Sequence, residues 1–221
     1  MLSRQEISPA GSQNRRVPRT RHLSGCLRMS QIALIAGLGN PGPGYNGTRH
    51  NDGFCFIDEL SQHYPLDFKL ESRFRGEIAN AQIKGLPVRV LRPGTFMNES
   101  GQSVASLMRY FAIEPGSVLV VHDDLDLEPG VVRLKEGGGH GGHNGLRDLI
   151  RHLDSNDFVS LRLGIGHTGH TDDVTDYVLH TPPAGQRSAI LDAVSRAVAL
   201  IEPMINGDHA AVMNELHRPD D

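Results

Sequence analysis

Ile32-Ala33-Leu34-Ile35-Ala36-Gly37-Leu38-Gly39-Asn40-Pro41-Gly42 is the stretch on which the fold turns. Residues 32–36 are apolar without a break and run into spaced glycines, the pattern of a strand buried on both faces and ending in a functional loop. Strands of that kind lie in sheets covered by helices, so a helical period should follow. It does: Asn51–Tyr64 sets Phe54, Phe56, Ile57 and Leu60 at helical spacing. The glycines also match the G-x-G-x-x-G of dinucleotide-binding folds, which needs them to open a helix onto a pyrophosphate. Here Pro43, Gly44, Tyr45, Asn46 and Gly47 come next, and they cannot propagate one. The acids near the ribose-binding distance, Asp58 and Glu59, fall inside the next helix. A nicotinamide cofactor is therefore excluded, and what remains is a rigid loop presenting Asn40, Tyr45 and the polar pair His50–Asn51.

The alternation continues along the chain. Glu77–Ile83 and Val88–Leu91 bracket Gly85-Leu86-Pro87 as a hairpin. Asn98 is placed to cap a helix over Ser103–Ala112, with Val104, Leu107, Met108 and Phe111 on one face. Val118–Val121 is an apolar strand ending at His122-Asp123-Asp124, and Val131–Leu134 is another. A glycine loop, Gly137–Gly142, leads into a helix through Leu153. Leu161–Ile165 is a further strand, and the last 40 or so residues are helical, with Ile190, Val194, Ala197, Val198 and Ile201 on one stripe. The class is α/β: a single domain with a mixed, mostly parallel twisted sheet flanked by helices. Ligands of such sheets bind beyond the carboxyl ends of the strands. Segments 37–51, 93–98, 122–126 and 136–145 mostly follow predicted strands, so they converge there.

Composition bounds the function. The chain has 221 residues, 38% hydrophobic and 22% charged, and no run approaches the ~18 apolar residues of a membrane span. Two cysteines, Cys26 and Cys55, build neither a disulfide framework nor a four-cysteine zinc site, which points to a reducing, cytoplasmic setting. Residues 1–28 carry six arginines against one acid, read as a disordered basic extension, and leave residues 29–221 as the domain. A transit peptide, an RNA-contacting arm and an upstream start codon with translation beginning at Met29 all fit that segment. The remainder holds 16 basic and 25 acidic residues, a net of −9, so a polyanion must be gripped by a local patch.

Three clusters carry chemistry. His50 follows a loop of small residues, and a histidine base needs a carboxylate to fix its tautomer. Asp123, just past an apolar strand, is placed to be that partner, although an acidic turn there is also compatible with solvation alone. Gly137 through Gly145 sets six glycines around His140 and His143; beside the acids this spacing suggests metal ligation, or a loop whose Asn144 starts a helix and meets substrate. No cysteine-type zinc spacing or His-Glu-x-x-His occurs, so no metal is expected. No Gly-x-Ser-x-Gly elbow occurs either, which leaves water activated by histidine.

Gly37 to Gly42, Tyr45, Thr48-Arg49-His50-Asn51, Thr95-Phe96-Met97-Asn98-Glu99-Ser100-Gly101, His122-Asp123-Asp124-Leu125-Asp126 and Gly137 to Gly145 together resemble the bacterial-type peptidyl-tRNA hydrolases, in order, over about residues 31–216. The resemblance implies hydrolysis of the ester between a peptide and the terminal ribose of tRNA, without cofactor. It makes His50 the general base and Asp123 its orienting partner. It has Asn40, Asn98 and Asn144 position peptide, water and the 3′ end, His143 line the site, and Tyr45 and Met97 shape the groove. Lys135 and Arg162 match a clamp on the tRNA 5′-phosphate, with Arg133 and Arg147 extending the patch. The implied partner is peptidyl-tRNA at its acceptor stem, with no membrane and no obligate protein partner, and the expected state is a monomer. Thr168 stands where the family often has proline.

Overall fold

The computed structural model describes residues 31–167 and 174–217. The N-terminal extension, the start at Met29 and the Thr168 departure lie outside those residues. The elements are β1 (Leu34–Gly37), α1 (Asp52–His63), β2 (Lys69–Glu71), β3 (Gly76–Ile83), β4 (Leu86–Pro93), α2 (Ser100–Phe111), β5 (Val118–Asp124), β6 (Val132–Glu136), α3 (Asn144–Leu153), β7 (Val159–Gly164), α4 (Val174–Val178), α5 (Ala184–Ala199), α6 (Ile201–Asn206) and α7 (His209–Leu216). They form one seven-stranded sheet in the order β2-β3-β4-β1-β5-β7-β6. The inner strands β4, β1, β5 and β7 are parallel, while β3 and β6 run against them, so the sheet is mixed and mostly parallel as expected.

Side-chain alternation divides the core in two. Ile35, Leu119 and Val121 face α1 and α5, with Phe56, Ile57, Leu60, Ile190 and Val194 packed on them. Leu34, Ala36, Val118 and Val120 face α2 and α3, against Val104, Leu107, Leu146 and Leu149. Every residue of the short central strand β1 is buried, which is why its sequence reads as an unbroken apolar run. The C-terminal stripe from Ile190 to Ile201 is likewise buried.

Two local readings are revised and one short strand is added. The hairpin turns on Lys84 and Gly85, both at positive φ (54° and 77°), and β4 absorbs Leu86 and Pro87. Pro87 is tolerated because pairing to β1 begins only at Arg89. Asn98 is not a helix cap: it lies inside a 3-10 turn, Met97–Glu99, and α2 begins at Ser100 with Glu99 at its N-cap. The three-residue edge strand β2 is too short and too exposed to leave a hydrophobic signal.

No helix follows the β1 glycines directly. Two single 3-10 turns, Pro43–Tyr45 and Arg49–Asn51, intervene, as the proline and glycines there require. The second turn delivers His50 to the carboxyl end of β5. Gly53 allows it: a Cβ there would sit 2.5 Å or less from the carbonyl oxygens of Leu38 and Val121.

Candidate active site

The carboxyl ends of β1, β4 and β5 open on a cavity of about 480 Å³, within the range of small-ligand sites. Asn40, His50, Met97, Asn98, Asp123, His143 and Asn144 line it, so all four segments converge there as anticipated. Val174, Thr175, Val178 and Leu179 supply a fifth wall that sequence reading did not identify. Its signal is a few apolar residues, Val174, Val178 and Leu179, at helical spacing after the last strand, indistinguishable from ordinary core.

Asp123 is 2% exposed and holds two imidazoles. The Nδ1 of His50 lies 2.9 and 3.0 Å from its two oxygens, and the Nε2 of His143 lies 3.0 Å from Oδ1. The tautomers follow from the other ring atoms. His143 caps α3, and its Nδ1 accepts the Leu146 backbone N–H (3.2 Å), so its proton resides on Nε2 and is donated to Asp123. His50 donates from Nδ1, which leaves the Nε2 lone pair bare in a ring that lines the cavity.

Electrostatics support this arrangement. Burial opposes ionisation of Asp123, but attraction to His50 and His143 and their two N–H bonds outweigh it and hold the carboxyl well below the usual range. Burial likewise opposes charge on His50, yet the Asp123 carboxylate, its hydrogen bond and the Asp52 carboxylate raise its pKa above the ordinary histidine value. His122 behaves differently. Complete burial and the neighbouring His143 bring it down to about 4, and its Nδ1 donates to the Asp123 carbonyl (2.7 Å). It is a neutral prop on the opposite face of β5.

Amides surround the pair. Asn40 Oδ1 accepts the Met97 N–H (2.8 Å), which assigns its Nδ2 as the donor left for the cavity. Asn51, quoted in the sequence only as a neighbour of His50, locks that loop: its Oδ1 accepts the Asn40 N–H (2.8 Å) and its Nδ2 donates to the Asn40 carbonyl (3.0 Å). No pattern in the sequence distinguishes such a brace from a helix cap. Met97 is buried in the wall, and Asn98 and Asn144 are exposed on it. Tyr45 is not on the wall; its ring packs edge-on against Phe96, which is (centroids 6.1 Å).

The suspected His140 and His143 metal pair does not form. His140 Nδ1 accepts the Gly142 N–H (3.1 Å), whereas His143 turns to Asp123. Among the described residues, the groups close enough to share an ion are His50, Asp123 and His143. Both ring nitrogens point at the same carboxylate, each across one hydrogen-bond distance.

Lys135 and Arg162 flank an adjoining hollow of about 270 Å³, next to His122, His140 and Ser160. Arg162 donates to Asp124 (2.6 Å). Lys69 pairs with Asp67 and Lys84 with Glu202, whereas Lys135 has no ion pair among the described residues. Arg133 stands opposite Arg162 on the neighbouring strand, and its guanidinium reaches the carbonyls of Val132 and Leu216. Arg147 bonds Asn144 Oδ1 (2.7 Å) at the cavity rim.

The fold and the pair define the class: an α/β enzyme with a histidine–carboxylate dyad at the carboxyl end of a parallel strand, and with no serine or cysteine on the cavity wall among the described residues. A family model for peptidyl-tRNA hydrolase matches residues 34–221. A peptidyl-tRNA hydrolase of Coxiella burnetii is 50% identical over 186 residues, 84% of this chain and 97% of that one. One from Acinetobacter baylyi is 46% identical over 189 residues, 86% and 97% of the two chains. The crystal structure of peptidyl-tRNA hydrolase from Acinetobacter baumannii superposes with a TM-score of 0.83 at 44% identity, covering 85% of this chain and 95% of that one. The chain belongs to the peptidyl-tRNA hydrolase family.

Proposed function

We propose that this protein hydrolyses the ester joining a peptide to the terminal ribose of tRNA, with His50 as general base. The observation that carries the reading is the Nδ1–H bond from His50 to Asp123, which commits the other ring nitrogen to accept a proton in the cavity. A water placed against Nε2 gives up its proton there, and its oxygen adds to the ester carbonyl. Asp123 stabilises the imidazolium that forms. The tetrahedral intermediate then expels the ribose oxygen, which takes the proton from His50, so the base is regenerated. The Nδ2 of Asn40 is suited to the developing negative charge, since amide donors fixed before reaction stabilise it without reorganising. Asn98 positions the water and Asn144 the 3′ end, His143 holds Asp123, Met97 forms the wall, and Tyr45 acts through Phe96. An ester is activated enough for one base and a few amides, so the scheme draws on no metal.

The acceptor stem is held by Lys135, with Arg162 beside it, on the 5′-phosphate. Lys135 supports this best, as a lysine at the edge of a hollow with no ion-pair partner among the described residues. In this reading the enzyme acts as a cytoplasmic monomer. The test is deacylation of N-acylated against free aminoacyl-tRNA by the protein and by His50→Ala. Turnover of the N-acylated ester should fall roughly 10²–10⁴-fold in the variant, the usual contribution of a positioned base. A folded variant with near-normal turnover rejects His50 as the base, and equal activity on free aminoacyl-tRNA rejects the substrate class.

A further inference from the structure

Two residues beyond His50, on the first turn of α1, lies a second buried carboxylate. Asp52 is wholly inaccessible to solvent. Its Oδ1 accepts from Arg187 of α5 at 2.7 Å, and its Oδ2 has no hydrogen-bond partner. The same guanidinium reaches Cys55 Sγ at 3.4 Å. Nothing in the hydrolytic scheme uses this pair. Burying a carboxylate with one oxygen unbonded is costly, and a lone carboxylate there would take up a proton. Asp52 therefore depends on Arg187, the one side chain that bonds it, to favour its charged form.

We infer that the Asp52–Arg187 pair is a positioning device for the catalytic base: Arg187 favours the charged form of Asp52, and that charge, two residues along the chain from His50, strengthens the base. The charged and titratable groups around Asp52 are Arg187 on α5, Arg49 and His50 on the preceding turn, Asp123 on β5 and Cys55 on α1. Arg49 also favours the Asp52 charge, but its hydrogen bonds go to the carbonyls of Tyr177 and His180 and to Gln186, not to Asp52. Burial lifts the Asp52 carboxyl to about 7 even with Arg187 pulling it down, so its charge is poised in the working range. The charges that raise His50 are those of Asp123 and Asp52. Arg187 thus bears on His50 through Asp52, the carboxylate it bonds.

This inference rests on His50 as base. The experiment measures kcat/KM against pH for the full chain and for Asp52→Asn, Arg187→Gln, the double variant, Arg187→Lys and His50→Ala. Activity requires neutral His50, so the profile rises with pH through its acid limb. Removing the Asp52 charge lowers the pKa of the base: the limb moves to lower pH, and the plateau falls roughly two- to tenfold, well short of the roughly 10²–10⁴-fold loss of the base itself. Arg187→Gln should reproduce the same displacement, the double variant should add nothing to it, and Arg187→Lys should restore the original limb. A purely structural pair would lower Tm and leave the limb in place, which overturns the inference, as does additivity in the double variant. If Asp52→Asn does not fold, Arg187→Gln carries the test, because that side chain is 25% exposed. An active His50→Ala would instead bring down the base itself, so the two failures are distinguishable.

Discussion

Replacing Asp123 by Asn removes one charge and almost no volume, yet the hydrogen-bond pattern predicts a specific failure. An amide has one acceptor oxygen where the carboxylate has two. His143 cannot change tautomer freely, because its Nδ1 accepts the Leu146 N–H and its proton must stay on Nε2. That N–H, now 3.0 Å from Asp123 Oδ1, claims the amide oxygen. The amide NH2 is left against His50 Nδ1, which must become an acceptor and send its proton to Nε2, the atom that should receive one from water. Loss of the base is expected to reduce kcat/KM roughly 10²–10⁴-fold, about 2.7–5.4 kcal/mol of barrier. The analogous change in a serine-protease triad costs about 10⁴ by the same wrong tautomer. What activity remains should also have its acid limb at lower pH, since the Asp123 charge and hydrogen bond raise the His50 pKa. The assay is release of the acyl-amino acid from N-acylated aminoacyl-tRNA across pH, with a thermal melt to establish folding. A folded Asp123→Asn enzyme within tenfold of the parent, or one with an unshifted limb, would refute the tautomer argument.

Two other substitutions probe the grip on tRNA and the placement of the base. Lys135→Ala should raise KM for full-length peptidyl-tRNA while sparing a short nucleotide ester, and should lower the log–log salt slope by about 0.7–0.9, the loss of one phosphate contact; equal losses on both substrates would exclude a phosphate clamp. Gly53→Ala forces a methyl to within 2.4–2.5 Å of the carbonyl oxygens of Leu38 and Val121. Overpacking against backbone should cost about 2–3 kcal/mol, roughly 5–10 °C in Tm, and pull His50 away from Asp123; a melt unchanged within 2 °C would show that the α1 approach is not tight.

Much of the fold was legible in one dimension because its signals are local. The buried runs of β1 and β5, the proline and glycines that deny a helix after Gly39, and the 3.6-residue stripe from Ile190 to Ile201 are each dictated by a few adjacent side chains. His50 and Asp123 could be paired in expectation, since a histidine at a loop end and a carboxylate past an apolar strand suit one another and both lie in segments beyond strand ends. Other features had no such signature. Asn98 resembles a cap and is an exposed wall residue; Arg133 resembles a phosphate ligand and is tied to the carbonyl of Leu216. Asn51 braces Asn40 through two bonds that neither residue's neighbours announce.

The sequence by itself determined the class of sheet, the loops at its carboxyl end and the residue types able to activate water, because backbone conformation and hydrophobic burial are set over short spans. Only the tertiary structure decided which nitrogen of each histidine carries its proton, that His143 and not His140 turns to Asp123, and that Arg187, 135 positions along the chain from Asp52, stands against its carboxylate. Those outcomes depend on partners brought together across the sheet, where distance and burial, rather than residue type, set the energy of a charge.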